Sequence, residues 1–194
     1  MQGVPISVLA GIGPMNVMTD HMITSTGAGL SSRNSFGCLI IALHDASNGN
    51  AAMAHISPGT PTTPAIAAMA QFLVTRGGTA ANLGVLLVGG AKFDPPRHAE
   101  LLNALTTPGL NVNAVRDHRC LGPNEVVIGG HQPRWKQVVL DPTTGYIAEI
   151  PTLNPINEVN SAPGLTVYTL SADAGVPTPV AATVAPTSEG CVLF

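Results

Sequence analysis

Between residues 36 and 56 two apolar runs flank a cluster of turn formers, and this segment restricts the fold more than any other. Residues 36–43 are almost wholly apolar, residues 45–50 carry Asp, Ser, Asn and Gly, and residues 51–56 are mostly apolar again. A short apolar run closed by turn residues is a buried strand, and two such runs around a turn pair as an antiparallel hairpin. The start of the first arm then lies near the end of the second.

The same rules carry the reading along the chain. Thr63 and Pro64 open a helix, with a hydroxyl at the cap and proline at the first helical position. Ile66, Met69, Ala70 and Leu73 then recur at helical spacing, and Gly77-Gly78 stops them. Residues 83–88 form an apolar strand closed by Gly89-Gly90, and a second helix spans 96–105 with Leu101, Leu102 and Leu105 inward. Further strands are expected at 6–10, 112–116, 125–128, 135–140 and 146–150, the last two joined by the turn residues 141–145. An edge strand at 165–170 completes the set, while 24–34, rich in Ser, Thr and Gly, runs up to the first apolar strand and is assigned no element. Two helices among roughly eight strands predict an α/β (α+β) layered β-sandwich with helices packed on the sheet faces. The chain is expected to form one domain over 1–170, followed by a Pro/Ala/Thr-rich tail over 171–194 with little to pack.

Composition removes several function classes. Of 194 residues only 10% are charged, the net charge is −3, and the basic residues stand singly, so nucleic acid is not an expected partner. No apolar run approaches the ~20 residues of a membrane span, and no cationic segment precedes residues 6–10, so no secretory signal is expected. Three cysteines without a CxxC pair argue against a disulfide framework and for a reducing, cytoplasmic setting. His118, Cys120 and His131 lack a second close pair, so no metal site is expected, and the glycine pairs lack the Lys-Ser or Lys-Thr of a phosphate loop. The terminal Cys191-Val192-Leu193-Phe194 fits a prenylation box, which has meaning only inside a eukaryotic cell.

Chemistry concentrates on Cys38 and His55. Each alone has a bland reading, a buried thiol and a hydrogen-bonded imidazole. Together they stand at the adjoining ends of the two hairpin arms. An imidazole beside a thiol accepts its proton and generates the thiolate nucleophile. Gly37 lets a substrate approach the backbone closely, and the amides beside it are candidate oxyanion donors. Ser35 beside the nucleophile and His131 in a probable loop are candidate substrate-binding residues.

The ordered set Phe36-Gly37-Cys38, residues 39–45, and Ala52-Met53-Ala54-His55 resembles the bacterial chemoreceptor glutamine deamidases, the CheD family. The resemblance runs from about residue 11 to 150. It includes Gly11-Ile12-Gly13 with Val17-Met18, Val88-Gly89-Gly90-Ala91, and Gly129-Gly130 with Arg134 and Thr144-Gly145. It implies a cofactor-free Cys-His-Thr triad that deamidates glutamine side chains through a thioester. The threonine's counterpart, six positions before Cys38, is Ser32; Ser31 and Ser35 are further candidates for the role. Arg33-Asn34-Ser35-Phe36 departs from the family's small, Gly-rich run. By resemblance the substrate is a chemoreceptor and the regulatory partner a chemotaxis phosphatase. Alternatives are a cysteine protease, a transglutaminase, an effector acting on a host protein, or a CheD-like binding protein without catalysis.

Overall fold

The computed structural model describes residues 16–33, 35–111, 115–119, 135–152, 167–171 and 177–180. The strands expected at 6–10 and 125–128 lie outside them, as do His131, Cys120, Cys191, the Gly11 and Gly129 segments and Arg134.

In chain order the elements are β1 (Asn16–Val17), β2 (His21–Thr26), β3 (Leu30–Ser32), β4 (Leu39–Asp45), β5 (Asn50–Ile56), α1 (Thr63–Val74), a 3-10 turn (Ala80–Asn82), β6 (Gly84–Gly89), α2 (Pro95–Thr106), β7 (Val115–Arg119), β8 (Trp135–Asp141), β9 (Tyr146–Thr152), β10 (Val167–Leu170) and β11 (Pro177–Val180). They build a seven-stranded sheet, β11-β10-β2-β5-β4-β6-β7, and a four-stranded sheet, β1-β3-β8-β9.

The hairpin read from 36–56 is the middle of the larger sheet, and every residue of β4 and β5 is buried. Strand pleating explains why both strands carry apolar residues on both faces: successive side chains enter different cores. Leu39, Ile41 and Leu43, with Ala52, Ala54 and Ile56, join Ile66, Met69, Leu73, Leu101 and Leu105 of the two helices. Ile40 and Ala42, with Ala51 and Met53, meet Val17, Leu30, Val138 and Leu140 of the smaller sheet. The layers are therefore small sheet, large sheet, helices. Both helices lie on one face of the large sheet, where the sequence suggested helices on more than one.

Turn chemistry fixes the hairpin register. Asp45 ends β4, and its carboxylate accepts from Ser47 N (2.9 Å), Ser47 Oγ (2.6 Å) and Asn48 Nδ2 (2.9 Å). Asp141 repeats the device between β8 and β9, accepting from Thr143 N (2.9 Å) and Thr144 Oγ1 (2.8 Å). Helix α1 begins one residue earlier than read, with Thr62 at the cap, and no side-chain cap bond forms there. The Thr62 hydroxyl instead donates to Glu100 of α2 (3.1 Å). In α2, Asp94 caps the N–H of Arg97 (2.9 Å). Leu102 is 45% exposed rather than inward, because Leu101 and Leu105 define the buried stripe and Leu102 sits a quarter-turn away.

Three further expectations change. The Ser/Thr/Gly-rich stretch at 24–34 contains β3 and the second half of β2, an interior strand of the large sheet. β10 is not an edge; it lies between β2 and β11. The edge is β11, drawn from the segment expected to have little to pack. Proline, which has no N–H to give, suits that position, and Pro177 and Pro179 both lie in it. Among the described residues no helix is long and apolar enough to cross a membrane.

His44 sits in β4 rather than in the turn that follows. Its ring fills a notch made by two glycines: a Cβ at Gly84 would come within 2.0 Å of the ring, and one at Gly145 within 3.2 Å. Burial, then the nearby Arg116 charge, holds its pKa below the ordinary imidazole value. The folded state thus prefers neutral His44, so its contribution is complete above about pH 6.5 and is lost as pH falls below that, through the lowered folded value. Urea midpoints measured from pH 7.5 down to 5.5 are expected to fall more steeply for wild type than for His44→Leu.

Candidate active site

The site forms where the two sheets meet at the start of β4. His55 stands near the end of β5, directly opposite Ile40 of β4 and His21 of β2, so all three side chains share the face toward the small sheet. Cys38 immediately precedes β4, two residues before Ile40, and continuing the pleat of β4 through it would make it a diagonal neighbour of His55. Diagonal pairs lie about 7 Å apart, within reach of an imidazole. The small sheet supplies Ser32 at the end of β3.

Hydrogen bonding fixes the protonation pattern. Ser32 Oγ donates to the Val17 carbonyl (2.7 Å) and lies 2.9 Å from His55 Nδ1. A hydroxyl has one proton, and it is committed to Val17; Ser32 must therefore accept from His55 Nδ1–H. That tautomer leaves the lone pair on Nε2, the nitrogen a general base needs. Of the three hydroxyls left open by the sequence, it is Ser32 that holds this bond, and the bond crosses from one sheet to the other.

The turn between β1 and β2 locks His55 from the other side. Asp20, at φ 55°, donates its N–H to the His55 carbonyl (2.7 Å), and its carboxylate accepts from Ser57 N (2.9 Å). Replacing Ser32 by Ala removes both of its buried bonds and is expected to cost about 1–3 kcal/mol. Chemical denaturation checks this, with Ser32→Thr, which keeps the hydroxyl, as the comparison.

The approach to Cys38 is tied to the loop after β6. The carbonyls of Phe36, Gly37 and Cys38 accept from Ala91 (3.0 Å), Lys92 (3.4 Å) and Gly90 (2.7 Å). In a planar trans peptide the N–H points opposite the carbonyl. The Gly37 and Cys38 amides therefore both point away from that loop. Ser35 is 1% exposed, with its carbonyl against Gly89. Behind this loop, Arg119 is held by Asp117 (Nε to Oδ1, 2.8 Å) and by His98 Nδ1 (3.0 Å). Hydrogen bonds from Arg119 keep Asp117 below the usual carboxylate range, and burial, then Arg119, lowers His98.

A search against protein-family models and curated proteins returns no match.

Two features differ from the sequence reading. Cys38, Ser32 and His55 are each 0% exposed, so the constellation is interior rather than an open notch. Cys38 is also disulfide-bonded, against the expectation from the odd cysteine count; its partner lies outside the described residues. His118 is exposed on β7, paired with Val88. His21 is the residue that sequence reasoning passed over. Its register opposite His55 follows from pairing of β2 with β5, and a Thr/Ser-containing strand gave no sign of that pairing.

Proposed function

We propose that this chain is a protein-glutamine deamidase of the CheD kind, with Cys38 as nucleophile, His55 as base and Ser32 as the residue that orients the imidazole. The observation that carries this reading is the Ser32–His55 bond at 2.9 Å, because Ser32's own proton is spent on Val17 and His55 Nε2 is left as the acceptor. In the reduced protein His55 takes the thiol proton and Cys38 Sγ bonds to the glutamine carboxamide carbon. The oxyanion is held by the Gly37 and Cys38 amides. His55 then protonates the departing nitrogen, ammonia leaves, and water hydrolyses the thioester to glutamate. No cofactor enters these steps.

The substrate is a protein glutamine, on a chemoreceptor by resemblance, with a regulatory protein partner; a host protein is the alternative target. The setting is the cytoplasm, where a disulfide at a nucleophile belongs to the transient, regulatory class. Because all three side chains are buried, a glutamine reaches them only when their cover opens.

A second reading is favoured by the burial and oxidation of Cys38: a CheD-like binding protein whose thiol is structural. Mass spectrometry of a glutamine-rich protein incubated with reduced enzyme separates the two. Deamidation predicts a gain of about 1 Da per converted glutamine, the mass difference between –NH2 and –OH, with none for Cys38→Ala. Equal traces from wild type and Cys38→Ala leave the binding protein.

A further inference from the structure

His21 is a second imidazole in the same row of side chains. It lies directly across from His55 in the β2–β5 pairing, and directly opposed residues have Cβ atoms about 5 Å apart. Its Nδ1 is 2.8 Å from the Thr19 carbonyl, which can only accept, so Nδ1 carries the proton and Nε2 the lone pair. Nε2 is buried and has no hydrogen-bond partner among the described residues, although the ring as a whole is half-buried. A buried acceptor of this kind takes a water where polar neighbours converge. Here the neighbour is His55, and the next pair on the same face is Ile23 opposite Met53. A water fits such a place better than the charged end of an amine.

We propose, building on the deamidase reading above, that His21 is the base that activates the hydrolytic water and so commits the thioester to hydrolysis rather than to transfer onto an amine. After acylation the glutamyl carbon is bonded to Cys38 Sγ, ammonia has left, and His55 is neutral. Water gives one proton to His21 Nε2 as its oxygen bonds to the thioester carbon. The carbon–sulfur bond breaks, and the new carboxylic acid passes its proton through His55 to the departing thiolate. His21 then loses its proton to bulk water from its half-exposed side. Carboxamide and water thus become carboxylate, ammonia and one proton. His55 serves acylation and return of the thiol proton; His21 serves the water.

His21→Asn tests this, because the Asn amide can still donate to the Thr19 carbonyl but offers no basic nitrogen. With reduced full-length protein, β-casein as glutamine donor and monodansylcadaverine as competing amine, wild type is expected to release ammonia steadily and incorporate little dye. The variant is expected to release one ammonia per Cys38 in a burst, then turn over about 100-fold more slowly. An acyl adduct on Cys38 accumulates after acid quench, and the ratio of dye incorporation to glutamate formation rises about tenfold. Thermal melting together with His21→Gln, expected to show the same burst, guards against a folding defect. If burst and steady state fall together, or the partition between water and amine does not move, His21 has no such role. If reduced wild type releases no ammonia at all, the deamidase reading itself is refuted.

Discussion

Reduction is expected to switch the protein on. Protein incubated with dithiothreitol should release ammonia from casein on the order of 10,000-fold faster than the same protein kept oxidised, the scale of losing a catalytic nucleophile. The reason is that a sulfur in a disulfide has no lone-pair thiolate state to attack a carboxamide, and Cys38 is in that condition in this structure. Thiol–disulfide exchange restores the thiol, and His55 then takes its proton. Cys38→Ala should be inactive in both conditions. Alkylation gives a readout independent of substrate: iodoacetamide should label Cys38 only after reduction, and at mildly acidic pH it should do so faster than an ordinary peptide thiol. Ammonia release that is equal with and without reductant refutes the gate. Labelling no faster than a free cysteine, in fully reduced protein, removes the basis for a nucleophile at Cys38.

Gly89→Ala is expected to destabilise the fold by about 4–5 kcal/mol, or to prevent folding, which places it at the far end of single-residue effects. Gly89 closes β6 at φ 88°, and a Cβ there would come within 2.4 Å of the Cys38 carbonyl and 2.6 Å of the Ser35 carbonyl. Both contacts are to backbone, which cannot swing aside as a side-chain end can. The strand end that carries Cys38 and the loop that receives its carbonyls would have to separate, so whatever folded protein remains should also lose the Cys38–His55 placement. Gly27→Ala is the control. It has a similar φ of 99° with nothing within 4 Å of its Cβ, so it bears the conformational cost alone, about 1–2 kcal/mol. Urea midpoints of the two variants measure the difference. A Gly89→Ala protein within about 1 kcal/mol of Gly27→Ala means that the loop yields and that the close approach is not what holds Cys38 in place.

The residues explain which parts were readable beforehand. Turn chemistry and pleat are local, so Asp45 with Ser47 and Asn48, and Asp141 with Thr143 and Thr144, announced their hairpins. The apolar runs around the first of these also announced a strand covered on both faces. The same two-residue period puts Cys38 in step with Ile40, and the hairpin register puts Ile40 opposite His55. That much of the candidate site follows from the chain read in order.

The rest depends on which strands meet, and no local pattern encodes that. Ser32 reaches His55 only because β3 belongs to one sheet and β5 to the other, and the two stack. His21 faces His55 only because β2, with too few apolar residues to look like a strand, is covered by neighbours on both sides. β11 forms because β10 offers it a partner, and the burial of Cys38 arises from layers that close over a segment whose sequence gives no count of its neighbours. The sequence determined the hairpin and which of its residues alternate toward each face, since periodicity is written residue by residue. The tertiary structure alone decided what surrounds them, since packing is a relation between segments far apart along the chain.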